Sequence, residues 1–471
     1  MKTQRLGLFS LGAMMLACSS AGSPATPSTG QSSDAGAPVD GATPAGLQKL
    51  GHVVVIVLEN WTFDSLYAEF AGAEGLAGGM AAPPQIDPTT GQPYATLPET
   101  ESHLPATLPN APFALDPFLG LDQDTSVDLT DKFYQEQQQI HGGKMDLFVG
   151  VSSAKGLTMG YFHTSDLPLA AEAKKYTLCD HFFHGVFGGS FQNHIFLVSA
   201  AVATFPNAPA SMVAVLDPNG APVKNGTTGA LQDGPVTPDG YVVGTVYPTS
   251  TPHPASTPAA NLLPAQTFPT IGDRLTAANV DWAWYAGGWN DALAGKDASA
   301  DLFQFHHQPF VYFANYADGT PGRAAHLKDE SDFMAAASAG TLPPVSFVKP
   351  DGIDNEHPNY TDVLTGEGHA VALINAVRNG PQWKDSAIIL TYDEGGGFWD
   401  HVSPPGGDRW GPGSRVPTIV ISPYAKAGVV DHTVYDTSSI TALIEHRWGL
   451  AALGTRDAVA ADMTNAFDFT H

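Results

Sequence analysis

The sequence predicts an α/β fold in which helices cover both faces of a central, mostly parallel β-sheet. Residues 52–58 form an uninterrupted, mostly β-branched run, which is typical of a strand that is buried on both faces, and residues 386–392 and 416–422 are interpreted as two further buried strands. Pro417 places the start of the third strand at the sheet margin, because proline cannot donate a ladder hydrogen bond. Residues 436–448 place a polar cap before apolar residues at helical spacing. Strands separated by helices favour an α/β/α sandwich.

The N-terminal residues 1–18 are predicted to be a signal peptide. They combine a positively charged start with an apolar stretch at residues 6–16, which is too short to span a bilayer. The stretch ends in M-L-A-C, which resembles the bacterial lipobox, so we predict that Cys18 is lipidated and that the protein is an exported cell envelope lipoprotein, on the outer surface or in the periplasm. An ordinary secretory signal, giving a secreted protein, is the alternative. A lipidated Cys18 would leave Cys179 without a disulfide partner.

The remaining chain divides into a linker and one folded domain. Residues 19–49 are mostly Ser, Ala, Gly, Pro and Thr without an aromatic residue, which predicts a flexible tether. Residues 50–471 are predicted to form the folded domain. Within it, residues 205–267 contain Asn-Gly and Asp-Gly pairs and many prolines around the strand-like residues 241–247, so we predict an insertion of hairpins and loops.

Composition limits the possible partners. The chain of 471 residues has 21 Lys and Arg against 47 Asp and Glu, so its formal net charge is −26. We therefore expect no nucleic-acid-binding surface, since phosphate backbones require a basic face. The hydrophobic fraction of 43% is enough for a large core. Because Lys and Arg are scarce, the 17 histidines are the expected source of positive charge at an anion-binding site.

Two strand ends carry oxygen-rich side chains. Glu59 and Asn60 follow the first predicted strand, and Asp393 and Glu394 follow the second. Ligands bind beyond the carboxyl ends of strands in open α/β sheets, and carboxylates at close range need a cation between them. The sequence thus indicates a site for one divalent metal ion, such as Mg²⁺, Ca²⁺, Mn²⁺ or a borderline metal. Helix caps and surface loop acids are the alternative interpretation.

Residues 187–194, F-G-G-S-F-Q-N-H, place Ser190 after two glycines, which suggests a tight turn that presents its hydroxyl. The G-x-S-x-G elbow of esterases is not matched, because Gln192 replaces the last glycine. A metal beside Ser190 would lower the pKa of the hydroxyl and make it a nucleophile. The alternative is a small residue packed in a turn.

Several histidines are candidates for holding an anion or protonating a leaving group. They stand in short polar motifs and are His306, His307, His357 and His401. By contrast, His52 at a strand start and His446 on the last predicted helix are interpreted as structural.

The motifs resemble the bacterial phosphoesterase family that contains phospholipases C and acid phosphatases, itself alkaline-phosphatase-like. The resemblance begins with E-N-W-T-F-D at residues 59–64, covers nearly everything from residue 52 to 453, and is greatest to the acid phosphatase branch. Its further motifs stand in order at residues 133–137, 142–146, 187–191, 287–290, 305–310, 355–358, 391–394, 399–401 and 411–417.

This resemblance implies an alkaline-phosphatase-like α/β/α fold with one catalytic metal ion. It assigns metal binding to Glu59, Asn60, Asp393 and Glu394, and the nucleophile to Ser190. It assigns phosphoryl contacts to His306, His307 and His357.

One position departs from the family pattern. Acid phosphatases of this type usually have a histidine two residues before the F-Y-Q-E-Q motif, and this chain has Asp131 there. A carboxylate would repel phosphate unless it were paired with Lys132, a histidine or the metal. Either Asp131 acts as a protonated acid, or His163 or another residue takes that role.

The sequence therefore predicts a phosphoric ester hydrolase of acid phosphatase type that acts through a phosphoserine intermediate. A phospholipase C or other phosphodiesterase is the alternative enzyme. A sulfatase is disfavoured because the C/S-x-P-x-R motif is missing. A lipoprotein that binds metal or phosphate without turnover is the alternative of another class. Because the protein is acidic, we also expect acid pH to relieve repulsion and to charge the phosphate-binding histidines.

Overall fold

The computed structural model describes residues 46–125, 127–296 and 303–470. The predicted signal peptide, Cys18 and residues 19–45 of the predicted linker lie outside these residues. Leu47–Lys49, at the end of that linker, form a 3-10 turn in which Leu47 is fully buried. The folded part of the chain therefore begins slightly before residue 50.

Fourteen β-strands are present in the described residues, and eight of them form the central sheet. In chain order the strands are β1 His52–Leu58, β2 Ile86–Asp87, β3 Gln92–Pro93, β4 Phe113–Ala114, β5 Gly160–Tyr161, β6 Thr177–Cys179, β7 Phe182–Phe183, β8 Trp282–Ala286, β9 Leu327–Asp329, β10 Val345–Lys349, β11 Ser386–Tyr392, β12 Thr418–Ile421, β13 Val429–Asp431 and β14 Tyr435–Asp436.

The sheet is mostly parallel, as predicted. Its strand order is β13-β6-β12-β11-β1-β10-β8-β9, and only β12 runs antiparallel to its neighbours. Strands β1 and β11 coincide with the predicted runs and pair along their full length, from His52 opposite Ser386 to Leu58 opposite Tyr392. The third predicted run forms β12, which starts directly after Pro417. These central strands are almost completely buried, as expected for a sheet covered on both faces.

Twelve α-helices accompany the strands within the described residues. They are α1 Phe63–Tyr67, α2 Leu76–Ala81, α3 Phe133–Ile140, α4 Phe148–Val151, α5 Ala170–Ala173, α6 Ser190–Ser199, α7 Ile271–Ala277, α8 Trp289–Leu293, α9 Pro321–His326, α10 Glu330–Ala339, α11 Val363–Arg378 and α12 Thr437–Trp448. Helix α6 packs against α12, and α10 packs against α11. The predicted last helix is confirmed as α12, where the Asp436 side chain accepts a hydrogen bond from the Ser438 amide. No described helix is long and apolar enough to cross a membrane.

The predicted insertion, residues 205–267, contains loops, two short 3-10 turns and isolated bridges in place of regular strands, and the bridges include Thr204–Tyr241 and Val236–Val242. Residues 241–247 do not form a strand. Gly244 and the neighbouring prolines interrupt the backbone pairing that their β-branched residues favour.

The direction of the strands gives the sheet two opposite edges, one formed by the carboxyl ends of the strands and the other by their amino ends. Strands β1, β8, β10 and β11 run parallel, so their carboxyl ends lie along one edge. The chain enters the fold at the other edge, where the Gly51 amide donates to the Asp385 carbonyl just before β1 and β11 begin.

Candidate active site

Four oxygen-bearing side chains meet at the carboxyl ends of β1 and β11. Three of them have a buried oxygen atom that finds no hydrogen-bond partner in the described part of the chain, namely Asn60 Oδ1, Asp393 Oδ2 and Glu394 Oε1. The fourth is Glu59, whose Oε1 is contacted by Lys349 and His307. Buried polar atoms are almost always paired, so three orphaned oxygens beside a buried carboxylate fit a metal ion that is bound by oxygen ligands. Three of the four side chains that the sequence predicts as metal ligands therefore have an oxygen atom without another partner in the described residues.

Backbone geometry holds these ligands in place. Asn60 adopts a left-handed conformation with φ 69°, and Gly396 with φ 61° packs so closely that a Cβ there would lie 2.1 Å from the Asn60 carbonyl. The Asp393 Oδ1 atom accepts hydrogen bonds from the amides of Asn60 and Glu394, at 3.3 and 2.8 Å. Glycine is required where the chain passes this close to another backbone segment.

The charges of the site are unbalanced without a cation. Burial, followed by the Glu59 carboxylate, raises the pKa of Asp393 well above its usual range. Burial, Asp131 and Asp393 do the same to the pKa of Glu394. A divalent cation bound by these oxygens would reverse both shifts, since a nearby positive charge favours the ionised form.

Glu59 is the exception among the three carboxylates. Burial alone would raise its pKa, but Lys349 and then His307 outweigh burial and hold the pKa well below its usual range. Lys349 Nζ lies 2.5 Å and His307 Nε2 lies 3.0 Å from Glu59 Oε1. Glu59 is therefore ionised before any metal binds, and its other oxygen remains available for Ser190.

Ser190 is the first residue of helix α6, and its Oγ donates a hydrogen bond to Glu59 Oε2 at 2.8 Å. The turn before it depends on Gly188, where φ is 88° and a Cβ would lie 2.4 Å from the Phe133 amide nitrogen. The predicted tight turn is thus present, and it directs the hydroxyl at the carboxylate cluster. An anion on Ser190 would also lie at the N-terminus of a ten-residue helix, where the helix dipole favours negative charge.

Ser190 opens into a cavity of about 480 Å³. Its polar lining includes Asp131, His306, His357 and Tyr360, and the insertion contributes Val243 and Gly244. The predicted insertion therefore borders the candidate active site. A Cβ at Gly189 would lie 3.0 Å from Asp131 Oδ2, so Asp131 packs directly against the turn that holds Ser190.

The paired histidines contribute neutral imidazoles, contrary to our expectation from the sequence that acid pH charges them. Burial, above all other effects, lowers the pKa of both His306 and His307 to about 3. The nearby Lys349 adds to this shift at His307. Acidification to pH 5 therefore leaves both rings uncharged. His357 lines the cavity with its Nδ1 donating to the Pro358 carbonyl at 2.6 Å and its ring stacked on Tyr360.

Two other histidines that the sequence brought forward lie elsewhere. His401 Nδ1 contacts Asp64 Oδ2 at 2.6 Å, and Asp64 also pairs with the buried Arg415, so His401 belongs to a structural ion-pair network. His163 pairs with Glu69 at 3.0 Å and is not among the residues that line the Ser190 cavity. Asp131, by contrast, lines the Ser190 cavity.

Sequence reasoning missed Lys349 and His194. Lys349 is the last residue of β10, an apolar run that ends in a fully buried lysine. His194 follows Ser190 by one helical turn and donates through Nδ1 to the Ser190 carbonyl at 2.7 Å. Burial lowers the pKa of His194 well below its usual range, so its ring is neutral. The signals that could have found them are the charged end of a buried strand and the i, i+4 spacing from Ser190.

The sequence comparisons with known proteins identify one family. The model described as the Phosphoesterase family matches residues 50–451. Phospholipase C A of Mycobacterium tuberculosis is 27% identical over 473 residues, which cover 91% of this chain and 79% of that protein. The non-hemolytic phospholipase C of Pseudomonas aeruginosa is 25% identical over 471 residues, which cover 90% of this chain and 58% of that protein.

Similar solved structures include a protein in the alkaline phosphatase superfamily from Vibrio parahaemolyticus, with a TM-score of 0.35 and 8% identity. That match covers 74% of this chain and 73% of the other. They also include a lipoteichoic acid synthase of Listeria monocytogenes, with a TM-score of 0.32 and 8% identity, covering 86% and 76%.

Proposed function

This chain belongs to the Phosphoesterase family and is a phosphoric ester hydrolase, and we propose that it is a metal-dependent acid phosphatase with Ser190 as its nucleophile. The observation that carries this proposal is the Ser190 hydroxyl, which lines a cavity and donates a hydrogen bond to Glu59 beside three oxygens of Asn60, Asp393 and Glu394 that lack partners in the described residues. That arrangement suits attack on a phosphorus atom by an activated hydroxyl.

Ser190 would attack phosphorus while the bond to the leaving-group oxygen breaks, which gives phosphoserine and a released alcohol. The proton of the hydroxyl is directed at Glu59 Oε2, which accepts its hydrogen bond. A divalent cation bound by Glu59, Asn60, Asp393 and Glu394 would lower the pKa of this hydroxyl and neutralise charge on the phosphoryl group. That contribution makes up for the weak basicity of Glu59. Water then attacks the phosphoserine, releases phosphate and restores the hydroxyl.

His306 serves as a neutral hydrogen-bond donor to a phosphoryl oxygen, and His357 contacts the phosphoryl group from the same cavity. His306 and His357 line the cavity together with Ser190, and His307 lies against Glu59. Donors fixed in a buried site stabilise the charge that develops in the transition state without any reorganisation. His307 also keeps Glu59 ionised and oriented toward Ser190.

Asp131 is proposed to protonate the leaving group. It lines the same cavity as Ser190, and burial followed by Asp128 raises its pKa to about 6. Its protonated carboxyl can give a proton to the leaving oxygen as the P–O bond breaks. The resulting carboxylate can take a proton from the water that hydrolyses the phosphoserine. A carboxylic acid in this place also avoids the repulsion that a carboxylate would impose on phosphate.

The pH profile tests this role. A donor must be protonated, so kcat/KM of the natural sequence should rise as pH falls through about 6. Asp131→Asn should lower the rate at pH 5 by about 10²-fold for an alkyl phosphate and by much less for 4-nitrophenyl phosphate, whose leaving group needs no proton. It should also abolish the acidic rise. Asp233→Asn is the control, since Asp233 lines the cavity but pairs with Lys132. An unchanged profile in Asp131→Asn would rule out this role.

A phospholipase C or phosphodiesterase activity is the second candidate, because the relatives named above are phospholipases C. Rates on 4-nitrophenyl phosphate, bis(4-nitrophenyl) phosphate and phosphatidylcholine vesicles, measured side by side, separate the two candidates. A phosphatase should hydrolyse the monoester at least about tenfold faster than either diester, which is a difference of about 1.4 kcal/mol in transition-state stabilisation. Faster diester hydrolysis would assign the cavity to phospholipid or diester substrates.

We further propose that the protein is exported and held to the membrane by a lipid on Cys18. The chain enters the fold at the edge of the sheet opposite to the site, since Gly51 precedes β1 and Glu59 follows it. Globomycin-sensitive processing and loss of membrane association in Cys18→Ser would support the anchor. A non-catalytic binding role is excluded by turnover in any of the assays above.

A further inference from the structure

A second cluster of side chains that could bind a metal follows strands β6 and β13, the outer pair on one side of the sheet. Asp180 follows β6, and His432 follows β13, which pairs with β6 in parallel register. His181 is the next residue after Asp180. One donor atom from each of the three side chains lies within 4.8 Å of the others. In the strand order, β12 separates this pair from β11 and the candidate active site.

We propose that Asp180, His181 and His432 bind a divalent transition metal such as Zn²⁺, separate from the metal of the catalytic cluster. Two imidazoles and one carboxylate are a ligand set that suits zinc and similar borderline metals, whereas the oxygen-only catalytic cluster suits harder cations. Solvent would complete the coordination, because His432 is 60% exposed.

The three donors already converge on one point. His181 Nδ1 lies 2.9 Å from Asp180 Oδ1, and His432 Nδ1 lies 2.9 Å from Asp180 Oδ2. Zinc ligands stand about 2.0–2.2 Å from the metal and therefore a little more than 3 Å from one another. Small rotations of the two rings would open enough room for an ion. The Nδ1 protons that now bridge to Asp180 would be released to solvent as the metal binds.

The surroundings hold the cluster in this arrangement. His181 Nε2 lies 3.0 Å from Glu74 Oε2, so Glu74 would keep the Nε2 proton in place when Nδ1 loses its own proton to bind a metal. Asp180 is fully buried, and its carboxylate accepts a hydrogen bond from the Glu74 amide at 2.8 Å. The buried Arg415 donates to the backbone carbonyls of Asp180 and Glu74. A metal here would join the Glu74 loop, β6 and β13, and would stabilise the folded chain.

The proposal is tested by Zn²⁺ titration of the chelator-treated full chain, using calorimetry and thermal unfolding. Asp393→Asn serves as the background that disables the catalytic cluster. Asp393→Asn should still bind one equivalent of Zn²⁺, and zinc should still raise its Tm. The double variant that combines Asp393→Asn with His432→Ala should bind zinc at least about tenfold more weakly. Because His432 is largely exposed, His432→Ala should fold and should hydrolyse substrate at the normal rate.

Two further variants complete the test. His446→Ala is the matched control, because it removes another partly exposed histidine, paired with Asp462 at 2.7 Å, and should leave zinc binding unchanged. Glu74→Gln should weaken zinc binding about tenfold, because the Glu74 side chain acts on the metal only through its contact with His181. The proposal is overturned if His432→Ala binds zinc as tightly as its parent, or if Asp393→Asn binds none.

Discussion

Ser190→Ala is expected to abolish phosphate ester hydrolysis, with kcat lower by about 10³-fold or more. The substitution removes the hydroxyl that bonds to Glu59 and with it the atom that would carry the phosphoryl group. The fold should persist, because alanine favours a helix at least as well as serine and Ser190 is the first residue of α6. Initial rates on an alkyl phosphate and an aryl phosphate, with circular dichroism on the same samples, measure both effects.

The control lies at the other end of the same helix. Ser199 is also buried, and its hydroxyl donates only to backbone carbonyls, including that of Ile195. Ser199→Ala should therefore leave kcat within a factor of about two, which corresponds to roughly 0.4 kcal/mol. Brief exposure of the natural sequence to substrate, quenched in acid, should label Ser190 with phosphate. A folded Ser190→Ala protein that retains a tenth of the activity would exclude the serine mechanism.

The sheet could be predicted from the sequence because its central strands carry a strong local signal. Strands β1 and β11 are buried on both faces, so they appear in the sequence as unbroken apolar runs with the bounds that the structure has. The direction of β12 could not be predicted in this way, since burial determines composition whereas direction depends on the connections between strands. Residues 241–247 show the reverse case, in which local composition favours a strand but turns and prolines limit the backbone pairing to isolated bridges.

The candidate site was predictable only where its residues follow strands or stand in recognisable motifs. Glu59 and Asp393 are more than 300 residues apart in sequence, and only the parallel pairing of β1 with β11 brings them together. Lys349 was missed because β10 was not recognised, and a lone lysine at a strand end looks like a surface residue. Its burial against Glu59 is a property of the assembled sheet.

The environment of each group could not be predicted from the sequence either. His306 and His307 look like a source of positive charge, but burial holds the pKa of each at about 3. Asp131 looks like a repulsive substitution, but burial raises its pKa to about 6. The higher activity that we expect at acid pH therefore depends on the protonation of Asp131 and not on the net charge, because the local solvation of a side chain outweighs the net charge of the chain.

Asp393→Asn is the second substitution with a large expected effect, and it separates metal binding from folding. Asparagine keeps the oxygen that accepts from the Asn60 and Glu394 amides, and it replaces the buried Oδ2, which has no partner in the described residues, by an amide. A carboxylate ligand is lost, so affinity for the activating divalent cation should fall by about 10²-fold or more, and hydrolysis at subsaturating metal should become undetectable.

The same substitution should not destabilise the metal-free chain. Without a cation, burial and Glu59 make an ionised Asp393 unfavourable, so a neutral amide relieves the cluster of a charge that it cannot balance. The metal-free Tm of Asp393→Asn should therefore equal or exceed that of the natural sequence, whereas the rise in Tm on adding Mg²⁺, Mn²⁺ or Ca²⁺ should shrink. Asp318→Asn, which changes an exposed carboxylate paired with Arg323, should keep both the rise and the activity. A metal-dependent Tm shift of full size in Asp393→Asn would remove Asp393 from the ligand set and place the cation elsewhere.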